Sequence, residues 1–108
     1  MLGNAPLQNA ALSVNIKMTP VTLVAGAAAV RVVVANPNRK ILAIQNTGTG
    51  PLSFGTGSTL AAGQGLSLDQ ADVAGGEGGS YEFKDFIPQD EIWMVSATGT
   101  TAVVMEGW

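Results

Sequence analysis

An all-β chain is what three features of this sequence predict. Valine is the commonest large apolar residue, eleven of 108, and its branched Cβ suits the pleated surface of a strand better than a helix. Fourteen glycines and five prolines punctuate the chain with turn chemistry. Between those marks lie about eight short apolar or alternating runs, the spacing expected of an antiparallel β-sandwich or jelly roll. The layout is an extended N-terminal arm over residues 1–19 followed by one β-sandwich domain over residues 20–108.

Residues 1–19, MLGNAPLQNAALSVNIKMT, are small and polar with no lasting period. They lack the basic cluster and long apolar run of a secretory signal. A fraying terminus would account for them. Leu7, Leu12, Val14 and Ile16 argue instead for an arm that docks on a neighbour, or for an edge strand in which Val14 and Ile16 alternate around Asn15.

Pro20 opens a strand over residues 21–25, and Val30 begins another that runs to residue 35. The alanines between them favour a single helix, but Gly26 and the β-branched residues on both sides oppose it. The run is also shorter than the roughly 20 residues a membrane-spanning helix needs, and Arg31 interrupts it. Residues 36–57, NPNRKILAIQNTGTGPLSFGTG, read as a β-hairpin: an Asn-Pro-Asn turn, a short buried strand, a glycine-rich turn, then Leu52-Ser53-Phe54 returning. Leu66-Ser67-Leu68 is a further short strand, and residues 69–79, DQADVAGGEGG, form a surface loop. From Ser80 the chain alternates, with Tyr81 and Phe83 expected inward and Glu82 and Lys84 outward. Residues 91–97 and 101–106 form a closing hairpin around Thr98-Gly99-Thr100.

Leu, Ile, Val and Phe together make 28 of 108 residues, enough for one core and above the one-fifth level typical of disordered chains. Only 12% of residues are charged, about half the usual share. Such a surface suits a protein packed against others, or a very stable extracellular module. The net charge of −3 is unevenly divided. Residues 1–45 carry Lys17, Arg31, Arg39 and Lys40 and no acid, whereas residues 46–108 carry Lys84 and all eight acids, so +4 and −7 make the total. An acidic balance argues against a nucleic-acid partner. The asymmetry offers docking of one subunit's early half on another's late half, beside the simpler reading of two unrelated solvated faces.

Chemistry is hard to place on this chain. There is no cysteine and no histidine, hence no disulfide, thiolate nucleophile or imidazole base. No glycine cluster matches a phosphate-binding loop or a dinucleotide fingerprint; these glycines are turn residues. Asp90 and Glu91 are adjacent and point to opposite faces of a strand. Asp69, Asp72 and Glu77 share a loop and could offer oxygen to calcium, but match no known calcium spacing. The lysines sit in no Ser-Lys pattern. The expectation is a protein without enzymatic activity and without a cofactor. Trp93, Trp108 and Tyr81 could form a sugar-binding platform, although core or interface packing explains Trp93 and Tyr81 better. Trp108, the last residue, is expected to bury against its own sheet or a neighbouring subunit.

Residues 30–107 contain NPNRKILAIQNTGTGPLSFGTG, GGSYEF and EIWMVSATGTTAVVMEG. This series resembles a class of small bacteriophage virion proteins. The residues that carry the likeness are Asn36, Pro37, Arg39, Gln45, Asn46, Gly48, Gly55, Gly79, Tyr81, Trp93 and Gly99. The resemblance implies a virion structural protein on the capsid surface, a decoration or cement protein that bridges major capsid subunits and assembles as a homotrimer. It implies no membrane partner. The residues expected to meet the partner are Leu7, Leu12, Val14 and Ile16 of the arm, the basic Arg31, Arg39 and Lys40, and Trp108. The alternative is a tail or fibre component that binds host-surface carbohydrate through the loops at residues 56–65 and 69–79.

Overall fold

The structure, a computed structural model, describes residues 15–108. Eight strands follow one another: β1 (Ile16–Leu23), β2 (Val30–Val33), β3 (Ile41–Asn46), β4 (Leu52–Gly55), β5 (Leu66–Leu68), β6 (Ser80–Glu82), β7 (Ile92–Val95) and β8 (Thr100–Gly107). No helix occurs among the described residues. The strands make two four-stranded antiparallel sheets, with order β1-β8-β3-β6 in sheet A and β2-β7-β4-β5 in sheet B. This is an all-β arrangement compatible with a β-sandwich.

Alternation decides which residues fill the space between the sheets. In β3, Leu42 and Ile44 are buried, and in β8 Ala102 and Val104. Val21 and Leu23 join them from β1. Sheet B supplies Val33, Leu52, Phe54, Leu68, Ile92 and Met94 to the same cluster. Each large side chain so buried contributes roughly 1.5–3 kcal/mol.

Two polar residues lock the ends of this core. At one end Arg39 is buried. Its Nε donates to Glu106 Oε2 (2.8 Å), and its terminal nitrogens donate to the carbonyls of Val34 (2.8 Å), Asp90 (3.0 Å) and Pro88. Glu106 lies in sheet A; Val34 follows β2, and Pro88 and Asp90 precede β7. One guanidinium therefore clasps both sheets, and its charge is tolerable there because it is paired and hydrogen-bonded. At the other end Asn46 is fully buried. Its Nδ2 donates to the carbonyls of Gly50 and Leu68, and its Oδ1 accepts from Gly48 N and Thr100 Oγ1. Side-chain and backbone groups of this one residue tie together the ends of β3, β5 and β8.

The two expected hairpins are not hairpins. β3 lies in sheet A and β4 in sheet B, and β8 and β7 are divided in the same way. Both tight turns are corners at which the chain changes sheet. They pack on each other: a Cβ on Gly48 would coincide with the Thr100 hydroxyl and the Thr101 amide, and one on Gly50 with the Gly99 carbonyl. The glycines are needed for this close approach of two backbones. The true sequence-adjacent pair is β4 with β5, joined by the longer loop at residues 56–65.

The boundary expected between arm and domain also moves. Ile16, Lys17, Met18 and Thr19 pair with Gly107, Glu106, Met105 and Val104 in sheet A, because their alternation continues that of Val21 and Leu23. Leu7, Leu12 and Val14 lie outside the described residues.

Candidate functional site

The outer faces of the two sheets differ in kind. On sheet A, strand register builds rows of outward side chains. One row is Ile16, Gly107 and Ile41; the next is Met18, Met105, Ala43 and Glu82; the third is Pro20, Val103, Gln45 and Ser80. Ile16 and Met18 are 55% and 57% exposed, and a shallow hollow of about 210 Å³ lies between Met18, Met105, Val103 and Ala43. Among the described residues nothing covers this face. An apolar patch of this kind marks a contact surface.

On sheet B the chain itself covers part of the corresponding face, leaving hollows of about 450 and 320 Å³ beside Val95 and Ser96. The loop at residues 56–65 folds back over it. Gly63 N donates to Ser53 Oγ (3.0 Å), which is 3.3 Å from Ser67 Oγ. Leu60 comes down against Gly55 and Gly65, and Val95 beneath the loop is buried. Further along, Glu91 accepts from Trp93 Nε1 and from Arg31 (3.1 Å each). The Trp93 hydrogen bond first, and the Arg31 guanidinium second, hold the Glu91 carboxyl below the usual carboxylate range.

A second apolar feature lies where the short edge strands β5 and β6 leave the core open. Phe54, Leu66, Phe83, Phe86, Pro88 and Ile92 line a groove of about 300 Å³. Phe83 forms edge-on contacts with Tyr81 (4.8 Å between centroids) and Phe86 (6.0 Å), a favoured geometry for aromatic pairs. Tyr81 faces the core side as expected, but the edge position of β6 leaves it 43% exposed. Phe86 is exposed at the rim.

The residues expected to meet a partner fall into separate places. Ile16 stands on the apolar face of sheet A. Lys40 is exposed beside it, with its backbone N–H donating to Gly107 O (2.7 Å). Arg31 is half-exposed on sheet B and paired with Glu91. Arg39 is corrected outright: it is buried, and its guanidinium is used within the chain. Trp108 is half-buried and extends the β1–β8 ladder by exchanging backbone hydrogen bonds with Asn15 (2.8 and 3.0 Å).

Both loops expected to bind ligand are held to the body of the domain by hydrogen bonds. Residues 69–79 are pinned to the Asn46 corner through Ala71 N to Gly48 O, Gly75 N to Thr47 O and Gly78 N to Asn46 O. Among the described residues Asp69, Asp72 and Glu77 form no group able to hold a metal ion.

Sequence reasoning missed Met18, Ala43, Val103 and Met105. Their signal was present. ILAI in β3 and AVVM in β8 are apolar at successive positions, where a strand with one wet face alternates. Comparison with protein-family models, with curated proteins and with solved structures finds no match to this chain.

Proposed function

We propose that this chain is an adhesive structural protein, a capsid decoration protein of a bacteriophage virion that bridges major capsid subunits. The observation that carries the adhesive part is the uncovered apolar face of sheet A, set against a sheet B that the chain partly covers for itself. Bridging needs more than one contact surface per molecule, since simultaneous weak contacts multiply. The aromatic groove between β5 and β6 is a second one. The virion setting rests on the resemblance of residues 30–107.

A jelly roll is the finer reading of the fold. It is favoured by the pairs β1–β8, β2–β7, β3–β6 and β4–β5, the pairing of one long antiparallel ribbon rolled across two sheets. An arm remains a proposal for residues 1–14.

Carbohydrate binding by a tail or fibre component is the second reading. The exposed rings of Tyr81 and Phe86 favour it, because such faces stack on sugars. Phe86→Asp separates the two. Cosedimentation with shells of the major capsid protein should weaken at least about tenfold, as for an aromatic anchor at an interface. Unchanged cosedimentation would remove the groove from the account, and saccharide binding lost in the same variant would favour the second reading.

A further inference from the structure

The long edge of sheet A specifies the kind of partner it fits. We infer that the first half of β1, from Ile16 to Thr19, takes up an extended segment of the major capsid protein as an added strand, apolar opposite Ile16 and Met18 and acidic opposite Lys17. This rests on the reading of the chain as a capsid-binding protein.

The hydrogen-bond pattern of the β1–β8 ladder fixes which groups are open. Asn15 and Trp108 exchange both backbone hydrogen bonds (2.8 and 3.0 Å), and the register runs without a shift from Ile16 opposite Gly107 to Leu23 opposite Thr100. In an antiparallel pair, exchanging positions alternate with non-exchanging ones. Lys17, Thr19, Val21 and Leu23 therefore direct their N–H and C=O groups to β8. Ile16, Met18 and Thr22 turn theirs away from it. Pro20, which has no N–H to offer, falls in the same outward phase, where a proline removes no ladder bond. Among the described residues no strand pairs with β1 on that side.

The other sheet edges differ from this one. β5 and β6 have three residues each, and β2 has four, with a register shift between Arg31 and Val33. Short strands and bulges keep an edge from pairing. β1 has eight residues, and only Pro20 interrupts its outward groups. Donors and acceptors repeating at strand spacing are the template to which an extended peptide adds.

The side chains narrow the partner. Ile16 and Met18 stand exposed on the outer face of sheet A, so the residues opposite them gain from being apolar. Lys17 points to the other side, with Thr19 and Val21, yet is exposed. It has no ion-pair partner among the described residues, because its cross-strand neighbour Glu106 is taken by Arg39 (2.8 Å). On an added strand the position opposite Lys17 is a non-exchanging one, where facing side chains come closest, and an acid there pairs with it. A second β1 fits less well. The antiparallel register that joins Ile16 of each copy to Met18 of the other sets Lys17 against Lys17, and like charges directly opposite oppose pairing. The register that sets Met18 against Met18 puts Pro20 against Ile16, whose carbonyl then has no donor.

Proline variants separate backbone from side chain. Met18→Pro removes one outward N–H, as Pro20 already does, and leaves the β1–β8 hydrogen bonds in place. Cosedimentation with shells of the major capsid protein should weaken at least about tenfold more in Met18→Pro than in Met18→Ala, since main-chain pairing carries the affinity of an added strand. Ile16→Pro against Ile16→Ala should repeat the result, and replaces it if Met18→Pro melts early. Lys17→Glu should weaken binding more than Lys17→Gln does. Hydrogen exchange quenched from the wild-type complex should show the Ile16 and Met18 amides newly protected.

Equal binding by the proline and alanine variants at both positions overturns the inference, and so does unchanged exchange at Ile16 and Met18. A wild-type dimer that Met18→Pro abolishes also overturns it, by giving the edge to a second copy. Met105→Lys distinguishes the two levels, because it alters the outer face of sheet A and no edge group. Impaired shell binding by Met105→Lys, with proline variants that match their alanine controls, leaves the adhesive reading standing and removes the edge. A wild-type chain that does not sediment with shells removes both.

Discussion

Sheets A and B are built from the same alternation and share one core, yet their outer faces have opposite fates. Sheet B has a ten-residue loop to lay over itself, hydroxyls at Ser53 and Ser67 to fix that loop, and the Arg31–Glu91–Trp93 network beside it. Sheet A has two methionines, a valine and two isoleucines in the equivalent outward positions, and no described segment to cover them. A face that the chain has hidden contributes to folding. An apolar face left bare contributes only when something else arrives.

The comparison can be broken outright by releasing the clasp that holds both sheets. Arg39→Ala leaves Glu106 buried without its cation and three carbonyls without a donor. It should cost about 3–5 kcal/mol, as removal of one member of a buried pair does, a large part of the ~5–15 kcal/mol available to a domain. Urea denaturation should show most of the stability gone.

A single substitution made on each face sharpens it. Val95→Lys forces a charge under the sheet B loop and should destabilise the chain by about 3 kcal/mol. Met105→Lys on sheet A should leave the stability of the isolated chain within about 0.5 kcal/mol, yet weaken binding to shells of the major capsid protein about thirtyfold, the loss expected for a central contact. Thermal melts of the isolated protein and cosedimentation with capsid shells read the two effects separately.

The smallest effect concerns the polar corner of sheet B. The Glu91 carboxyl titrates lower in the folded chain than in the unfolded one. Its contribution is therefore complete above the ordinary carboxylate pKa and is lost as pH falls through the lowered folded value. Because Glu91 is in contact with solvent, the loss is slight. Urea midpoints should decline a little on acidification from neutral pH, and Glu91→Gln should remove that part of the decline.

Much of the strand content could be read from the sequence because strands announce themselves locally. Val21 with Leu23, the β3 run and the β8 run carry their own periodicity, and all eight expected runs correspond to strands. What could not be read depends on contacts far apart in the chain. Asn46-Thr47-Gly48-Thr49-Gly50-Pro51 has the chemistry of a turn whether the chain returns in the same sheet or crosses to the other. The choice is made by Gly48 packing on Thr100, 52 residues on. Arg39 looked like a surface cation because its acid, Glu106, is 67 residues away. The adhesive face needed register as well as pattern: Met18, Met105 and Ala43 are neighbours only once β1, β8 and β3 are aligned. Even so, the doubled apolar runs in β3 and β8 were a local sign that those strands carry apolar side chains on both faces.

Methionine oxidation tests the bare face most directly, since three methionines report from known positions. Met94 is fully buried in the core, Met18 is exposed at the edge of sheet A, and Met105 sits near the middle of its outer face. Peroxide converts an accessible thioether to a sulfoxide, and mass spectrometry follows each site. When shells of the major capsid protein are added, Met105 should become several-fold slower to oxidise while Met94 stays slow throughout. Met105 oxidising at one unchanged rate with and without shells would contradict the claim that the outer face of sheet A is the adhesive one.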